Sequence, residues 1–540
     1  MGGAWSKVFG RHAGGTFDGV GAQNPGSRGG TESRFAIMTS MEKDAAVPTE
    51  FTDQVQQVHD SSELIDVVSP SGEVRSGDAA PDPGDPSTDT LGQAMAEVIR
   101  VAMPLMISTG TFSVVLFADR TFLLWYDGAA MSASMAAGNL FWTLICVPVG
   151  VSGMTGAVVS QYVGSRQREM IGRFLWQVVW FALATLPLFG LIGTLAPTLF
   201  SLTGQPAGLI ELESAYLRLL MWGAGGIVLE SGLSGFFAGT ERTHVIMWAS
   251  IASGVVNLVL DWMFIFGMNM GPLQIEAMGI IGAGWASLIS FWFKGGLFAF
   301  LLARPKFQES YRILAGISFD PALIRKLLFF GLPSGLMSLT EAAGFTAIVL
   351  QIGQQGDLPL RATTMAINFN MIAYVPLVGV AIAASVLVGR HLTESGPSRA
   401  VKSVAGALSI GWIYSMVWAV LYLAFPDQLL ALYQWGDASE DSMVAISLAR
   451  NLLGFVAIYV IVDATQLIVA GSLRGAGDTW FVLLSGLFAS IIACSIGIVF
   501  EPETGRLTWW WWVVTGWVFL LAASMVGRFL QGRWKSMRMV

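Results

Sequence analysis

Residues 446–473 read ISLARNLLGFVAIYVIVDATQLIVAGSL and contain two charged side chains, Arg450 and Asp463, in 28 positions. The hydrocarbon layer of a membrane is about 30 Å thick and an α-helix rises about 1.5 Å per residue, so about 20 mainly apolar residues cross it. The quoted stretch is therefore long and apolar enough to form a transmembrane helix. Stretches of the same kind recur along the chain and decide its fold class.

The composition of the whole chain is that of a membrane protein. Of its 540 residues, 54% are hydrophobic and 12% are charged, whereas about 25% are charged in soluble proteins. Tryptophans are frequent beyond residue 90, and the run Trp509–Trp512 is interpreted as an anchor at the membrane interface. We predict an all-α polytopic membrane protein with twelve transmembrane helices. The predicted spans are 97–126, 131–160, 172–200, 212–239, 243–267, 278–303, 322–353, 361–390, 398–425, 446–473, 478–499 and 508–531.

The distribution of basic residues among the loops predicts the orientation of these spans. The loops after even-numbered spans, together with the segment after the last span, carry 17 Lys and Arg residues, and the loops after odd-numbered spans carry four. Lys and Arg are retained on the cytoplasmic side of a membrane. We therefore expect a multi-pass protein of the inner cell membrane with both termini in the cytoplasm.

Residues 1–90 differ from the rest of the chain. They hold 14 acidic and 6 basic side chains and are rich in Gly, Ser, Asp and Pro, so we predict a disordered acidic tail. The chain has no basic stripe, which argues against nucleic acid as a partner. Its two cysteines, Cys146 and Cys494, are too few for a disulfide framework or a tetrahedral thiolate metal site.

Weak internal matches predict that the twelve spans arose as two sets of six. Pro104 and Pro333 begin the first span of each set and are 229 residues apart. Pro148 and Pro376 follow them and are 228 residues apart. Six spans per repeat give both lobes the same orientation, so we predict a pseudo-twofold axis along the membrane normal with a cavity between the lobes. The predicted order is the tail, an N-terminal six-helix lobe, a cytoplasmic linker, a C-terminal six-helix lobe and a cytoplasmic segment: 1–90, 97–303, 304–321, 322–531 and 532–540.

Five acidic side chains fall inside predicted spans and away from the span ends, although a charge at the bilayer centre costs at least about 2.5–3.5 kcal/mol. They are Asp119, Glu230, Asp261, Glu341 and Asp463. Asn257 precedes Asp261 by four residues and Tyr459 precedes Asp463 by four, so each pair shares a helix face. Oxygen groups placed in this way can hold a hard cation such as Na⁺, and a buried carboxyl group can instead carry a proton.

For any one of these acids a structural interpretation is also open. It is an ion pair with an intramembrane cation, for which Arg120 and Lys294 are available, or a polar contact between helices. Both interpretations stay open for Glu230, whereas we assign Glu341 and Asp463 a functional role because intramembrane acids are functional by default. Three uncharged polar residues of the same helices are interpreted as packing residues: Asn368, Asn370 and Gln466.

The most specific segment of the chain is DATQLIVAGSLRGAGD at 463–478. It occurs together with GLPSG at 331–335 before Glu341, NLVLD at 257–261 before Gly267, and AASV at 383–386 before Gly389. Over about residues 97–531 these segments resemble the multidrug and toxic compound extrusion (MATE) family, and more narrowly its bacterial NorM-type branch. The resemblance implies two six-helix lobes and export of a drug in exchange for an inward cation.

The resemblance also implies two cation-coupling sites. In the second lobe, Glu341 and Asp463 match carboxylates of the NorM-type branch, with Tyr459 one turn before the aspartate. In the first lobe, the matching residues are the first-helix aspartate, a polar pair and a hydroxyl group: Asp119, Asn257, Asp261 and Ser287. Two positions depart from the family pattern. Arg120 stands where relatives have a small uncharged residue and Glu230 where they have an amide, and both bear on coupling in the first lobe.

The function that the resemblance implies is secondary active transport. Organic, often cationic, drugs or metabolites are exported by antiport with Na⁺ or H⁺ through alternating access. We assign no catalytic residue, no cofactor and no metal beyond Na⁺, and we expect a monomer whose partners are small organic substrates and membrane lipids. The alternative is a flippase for lipid-linked oligosaccharides of the same superfamily, which needs a basic cavity. The absence of HExxH, GxSxG and His/Cys clusters argues against a membrane enzyme.

Overall fold

The three-dimensional structure is a computed structural model. It describes residues 90–202, 206–270, 273–434 and 440–540. The predicted acidic tail lies outside the described residues except for Thr90, which caps the first helix. The Thr90 hydroxyl accepts a hydrogen bond from the backbone N–H of Gln93, and the Gln93 side chain accepts one from the backbone N–H of Thr90. This reciprocal capping satisfies backbone donors that a helix start leaves unpaired.

The first half of the described chain forms six long helical spans, the second of which is divided at Met154. The helices are α1 (Leu91–Tyr126), α2 (Gly128–Gly153), α3 (Thr155–Gly164), α4 (Arg168–Ser201), α5 (Ala207–Gly239), α6 (Thr243–Phe266) and α7 (Ile280–Leu302). An antiparallel hairpin of β1 (Met268–Met270) and β2 (Leu273–Ile275) separates α6 from α7. Gly267, with φ at +78°, ends α6 in a conformation that favours glycine.

The second half repeats this arrangement after a short connection. A short helix, α8 (Pro305–Tyr311), and a 3₁₀ turn, Leu314–Gly316, lie in that connection. The helices that follow are α9 (Pro321–Gly353), α10 (Asp357–Glu394), α11 (Pro397–Ala424), α12 (Pro426–Gln434), α13 (Glu440–Ala476), α14 (Thr479–Val499) and α15 (Arg506–Gln531). A 3₁₀ turn, Arg533–Ser536, comes after α15.

Twelve helical segments of the described chain are long and apolar enough to cross a membrane. They confirm the twelve predicted spans, extending most of them by up to six residues at an end and shortening a few ends by one or two residues. The extensions include polar helical turns, for example at the start of α13, which hydropathy does not detect. The break at Met154 and the short elements α8, α12, β1 and β2 were not predicted.

The helices pack in the same order in both halves. Within the halves, α1 packs on α6 as α9 packs on α14, and α5 packs on α4 and α7 as α13 packs on α11 and α15. Between the halves, α1 packs on α10 and α2 packs on α9. If each helix is replaced by its equivalent in the other half, for example α1 by α9 and α2 by α10, each of these contacts becomes another observed contact. A twofold relation between the halves requires this. The predicted pair of six-helix lobes is therefore confirmed.

The hydrophobic cores show where the two halves are joined. We call the end of the bundle at which α1 begins and α15 ends the near end, and the opposite end the far end. A core at the near end combines side chains of both halves, including Val101, Val158, Val386 and Ile468. A second core lies within the first half and a third within the second half. The packing that fastens the halves to each other is thus concentrated at the near end.

Glycines bring the backbones of the two halves together at mid-height. A Cβ atom added to Gly335 of α9 would lie 2.4 Å from the carbonyl oxygen of Val147 in α2, and one added to Gly150 would lie 2.4 Å from the Gly335 Cα. No side chain larger than hydrogen fits between α2 and α9 at this height. The two helices therefore meet backbone to backbone, midway between the near and far ends.

Polar contacts between the halves, among the residues described, concentrate at the near end. The His391 ring nitrogen Nε2 lies 3.2 Å from Oε1 of Glu97, joining α10 to α1. Arg390 forms an ion pair with Glu241, which follows α5. Lys326 of α9 donates a hydrogen bond of 3.3 Å to the Tyr162 hydroxyl of α3. These contacts add to the shared core in holding the near end closed.

The predicted linker 304–321 is fastened to the first half. The amide of Gln177 in α4 donates to the carbonyl of Ser318 at 2.9 Å and accepts from the backbone N–H of Asp320 at 3.0 Å. Arg173 of α4 pairs with Asp320 at 3.1 Å. The linker is therefore bound to the first half as far as Asp320.

The tryptophan run at the start of α15 does not form the interfacial anchor that we expected. Trp510 and Trp511 are buried in the core of the second half, with exposed fractions of 1% and 2%. The Trp510 indole donates to Glu501 at 2.9 Å and the Trp511 indole donates to Thr363 at 3.3 Å. Of the four rings, Trp512 is the exposed one. The helical period turns consecutive residues to different sides, so a run of four cannot share one environment.

Candidate functional site

The structure brings the predicted first-lobe residues together in the far half of the bundle. Asp119 comes from α1, Asn257 and Asp261 from successive turns of α6, and Ser287 from α7, and all four are buried. Tyr216 of α5 completes the group. Its hydroxyl donates to Oδ2 of Asp119 at 3.3 Å and lies within hydrogen-bonding reach of Ser287. We call these five residues the first acidic cluster.

Several oxygens of the first acidic cluster are buried without a protein hydrogen-bond donor. They are Oδ1 of Asp119, both carboxylate oxygens of Asp261 and Oδ1 of Asn257. Asp119 and Asp261 are close enough for their charges to interact. Burying such groups unsatisfied is costly. A cluster of carboxylate, amide and hydroxyl oxygens is the donor set that hard cations take in proteins, and either carboxyl group can alternatively carry a proton.

Arg120 does not neutralise this cluster by direct contact. It follows Asp119 on α1, so its side chain leaves the helix in another direction. It forms no ion pair with Asp119 or Asp261 among the described residues, and it is half-exposed whereas Asp119 is buried. Its charge still acts on Asp119 through space. The departure from the family pattern therefore changes the field at the cluster and leaves the carboxylate oxygens available.

The predicted second-lobe residues also come together. Glu341 of α9 and Asp463 of α13 are half-buried and close enough for their charges to interact. Tyr459 lies one turn before Asp463 and is buried beside it. Tyr374 of α10 lies near both carboxylates. We call these residues, together with Gln466 of α13, the second acidic cluster.

Three members of the two clusters were missed or misjudged from the sequence. Tyr216 and Tyr374 carried no signal because a single tyrosine inside an apolar helix is common. Gln466 was interpreted as a packing residue, yet it lies within hydrogen-bonding reach of Glu341. Its spacing of three residues from Asp463 places both side chains on one helix face and was the available clue. Asn368 does make a helix contact, since it donates to the Tyr433 hydroxyl at 3.0 Å.

A comparison of the whole chain with protein families decides its membership. The MatE family model matches residues 104–263 and 333–501, which together make up more than half of the chain. The two matched segments begin at Pro104 and Pro333, the equivalent prolines of the two halves. This chain belongs to the MATE family. The resemblance that we inferred from the sequence is confirmed.

Curated relatives of this MATE chain carry NorM-type names. The chain is 27% identical over 423 residues to the probable multidrug resistance protein NorM of Burkholderia mallei, covering 77% of this chain and 86% of that protein. It is 27% identical over 436 residues to the multidrug resistance protein PmpM of Pseudomonas aeruginosa, covering 78% and 88%. A solved MOP superfamily transporter from Pyrococcus furiosus shares its fold with a TM-score of 0.72 and 20% identity, over 82% of this chain and 97% of that one.

The other intramembrane acid of this MATE chain, Glu230, has a structural partner. Its Oε1 lies 2.9 Å from Nζ of Lys294, linking α5 to α7. The ion-pair interpretation of Glu230 is therefore confirmed, and Lys294 is neutralised within the first half. Among the described residues, His, Cys, Asp and Glu side chains nowhere form a group of three that would hold a metal ion.

Proposed function

We propose that this MATE protein is a secondary active transporter that exports organic, often cationic, drugs or metabolites by antiport with Na⁺ or H⁺. The observation that carries the proposal is the first acidic cluster, whose buried carboxylate oxygens lack protein donors inside a bundle of membrane-spanning helices. Acids in such a place need a proton or a cation. The relatives named as multidrug resistance proteins supply the substrate class.

We further propose that the near end faces the cytoplasm of the inner membrane. The basic loop residues concentrate at this end, as retention of Lys and Arg on the cytoplasmic side requires. The shared core then closes the cytoplasmic side, and the described conformation is the one in which substrate leaves outward. Export requires a second conformation in which the near end opens, and the bound ion shifts the balance between the two.

The residues of each cluster have distinct roles in this proposal. In the first cluster, Asp119 and Asp261 take the coupling ion, while Asn257, Tyr216 and Ser287 supply neutral oxygens around it. In the second cluster the carboxylates of Glu341 and Asp463 take a proton or cation, and Tyr459 orients Asp463. No bond is made or broken, and the protein supplies binding energy that differs between the two conformations.

The membrane potential is sufficient to drive such an exchange. Moving one positive charge inward through 100 mV releases about 2.3 kcal/mol. A tenfold concentration ratio of a neutral drug requires about 1.4 kcal/mol. One inward charge therefore supports more than a tenfold gradient before any chemical gradient of the ion is counted.

The proposal predicts that three single substitutions abolish coupled export. Purified protein in proteoliposomes is given a fluorescent organic cation, with a pH gradient and a Na⁺ gradient imposed separately. We expect Asp261→Asn, Glu341→Gln and Asp463→Asn each to lower gradient-driven transport at least about tenfold, because each removes a charge that the ion must neutralise. Asp357→Asn is the matched control, since Asp357 is exposed in a surface pair with Arg361.

Each outcome of this experiment is informative. Transport that responds to only one gradient identifies the coupling ion. Gradient-dependent export that persists in all three variants, at protein levels equal to those of the Asp357→Asn control, would refute the coupling role of the clusters. Substrate movement that ignores both gradients would make the protein a passive pore.

We also propose that the transporter works as a monomer. Each half completes its own core within one chain, and the shared core joins the halves of that same chain. The translocation path therefore needs no residue from a second copy. Counting of photobleaching steps in proteoliposomes that carry out transport should show that vesicles with a single chain are active, and activity confined to vesicles with two or more chains would contradict it.

A further inference from the structure

The segment after α15 folds back onto the near end of the bundle. Gly532, with φ at +74°, ends α15, and the 3₁₀ turn Arg533–Ser536 follows. The Trp534 ring stacks on Phe529 with ring centroids 4.8 Å apart, and its indole N–H donates to the Phe529 carbonyl at 2.9 Å. Trp534 is buried in the core of the second half. The base of the segment is therefore anchored to that half.

The other end of the segment is bound to the first half. The backbone N–H of Met539 donates to Oε1 of Gln161 in α3 at 2.7 Å. The Nε2 of the same Gln161 side chain donates to the carbonyl of Gly475 in α13 at 2.9 Å. Gln161 has no exposed surface. One buried amide of the first half thus holds two separate parts of the chain from the second half.

The side chain of Met539 fills the seam between the halves. It is buried in the shared near-end core, and Val540 packs against the same core. It also lies against the residue that follows α13, since a Cβ added to Gly477 would lie 2.9 Å from the Met539 Cγ. The segment 532–540 therefore begins in the core of one half and ends in the core that both halves share.

We propose that the segment 532–540 is a latch that stabilises the closed near end and so sets the balance between the two access conformations. The proposal rests on the alternating access proposed above. Opening the near end must part Gln161 from Gly475 and draw Met539 out of the shared core. A buried amide that loses both partners is left unsatisfied unless water reaches it. The latch therefore favours the described conformation and is released when the near end opens.

The latch is separable from the ion pairs that also cross the near end. Arg390 and Glu241 are partly exposed, with exposed fractions of 29% and 21%, so water can replace part of their interaction. The contacts of Gln161 are fully enclosed. The segment 532–540 itself lies outside the membrane-spanning helices, so a substitution at Met539 changes no residue of those helices. This permits a test that changes the latch alone.

The test uses two cysteine reporters in a background of Cys146→Ala and Cys494→Ala. Val386→Cys lies in the closed seam, where Val386 is 1% exposed and its Cγ2 would lie 3.6 Å from a Cβ added to Gly156. Thr143→Cys lies one turn beyond Val147 on the same face of α2, is exposed, and reports the far half. The rate of reaction with N-ethylmaleimide measures how often each site opens, and no substrate is needed.

The latch variant is Met539→Pro, which removes the backbone donor, and the matched control is Met539→Leu, which keeps the donor and a similar volume. We expect Met539→Pro to raise labelling of Val386→Cys about fivefold, the change in population that one net hydrogen bond of about 1 kcal/mol produces. Labelling of Thr143→Cys should stay equal or fall. Gln161→Met should act like Met539→Pro, and Met539→Leu should match the parent.

Two results would overturn the latch. Unchanged labelling of Val386→Cys in both Met539→Pro and Gln161→Met would show that the segment 532–540 does not stabilise the closed near end. Faster labelling of both reporters would show general loosening of the fold instead of a shift between conformations. A failure of drug transport in proteoliposomes leaves this labelling pattern unaffected, so the two proposals fail separately.

Discussion

Asp261 and Glu230 show how the same residue chemistry serves two purposes in one helical bundle. Glu230 has a permanent cation, Lys294, at 2.9 Å. Both oxygens of Asp261 are buried without a protein donor, and among the described residues no basic side chain pairs with it. A carboxylate with a fixed partner holds helices together, whereas one without a partner is available for an ion that comes and goes. In the proposed function, the presence or absence of a fixed partner, more than the residue type, separates a structural carboxylate from a coupling one.

This distinction predicts that breaking the Glu230 pair from one side is more harmful than removing it altogether. We expect Lys294→Met to destabilise the protein by about 3–5 kcal/mol, because it leaves Glu230 enclosed without its cation. The double variant Glu230→Gln with Lys294→Met should recover most of that loss. Thermal unfolding in detergent measures both effects, and equal losses in the single and double variants would contradict the pairing.

At the residue scale, the sequence located most of the candidate site because charged groups are rare in membrane helices. Asp119, Asp261, Glu341 and Asp463 stood out by their chemistry alone, and the structure brings them together in two pairs. The tyrosines that accompany them did not stand out. Tyr216 reaches Asp119 from α5, and this partnership depends on how α6 and α7 place α5 relative to α1, which the spacing of residues along one helix cannot reveal.

Helices α2 and α9 approach each other closely because each carries a glycine at mid-height. Helices that meet at small residues pack through their backbones and gain close van der Waals contact. Gly150 and Gly335 supply this contact, and Pro148 and Pro333 lie two residues before them. The proline bends and the glycine contact thus occur together in both halves.

We expect Gly335→Ala to impair transport, because its Cβ would lie 2.4 Å from the Val147 carbonyl oxygen and force α2 and α9 apart. Such overpacking costs about 1–3 kcal/mol. The matched control is Gly454→Ala in α13, where nothing lies within 4 Å of the added atom and where alanine favours the helix by about 0.5–1 kcal/mol. Transport rate and melting temperature measured together test this. Full transport in Gly335→Ala would contradict the close approach.

The elements that sequence analysis did not find share a physical cause. Hydropathy detects helices that are apolar enough to lie in the hydrocarbon layer of a membrane, so it located the twelve spans and their order. The helix α12, the linker helix α8 and the hairpin of β1 and β2 lie between spans, where water satisfies the backbone and no apolar run is required. The interruption at Met154 is equally invisible, because α2 and α3 together form one uninterrupted apolar stretch in the sequence.

The whole molecule contains one acidic cluster in each half. The first is formed by helices of the first half alone and the second by helices of the second half alone. A cation bound in either cluster therefore tightens one half internally without bridging the two. Its effect on access has to pass through the seam, where α1 packs on α10 and α2 packs on α9.

Binding of the coupling ion should therefore stabilise the whole protein. A ligand at 100 times its dissociation constant adds about 2.7 kcal/mol to the free energy of unfolding. We expect the melting temperature in detergent to rise when NaCl replaces choline chloride, or when the pH is lowered from 8 to 6, according to which ion is coupled. Asp261→Asn should remove part of that rise. A melting temperature that does not change with either NaCl or pH would argue against ion binding.

The meeting of Gly150 and Gly335 at mid-height has a mechanical consequence. In the alternating access proposed above, a contact made of backbone alone, without side chains that interlock, would let one half tilt over the other about this point. With the pivot midway through the membrane, a widening at one surface is matched by a narrowing of similar size at the other. Simultaneous exposure to both sides, which would dissipate the ion gradient, is then opposed by geometry itself.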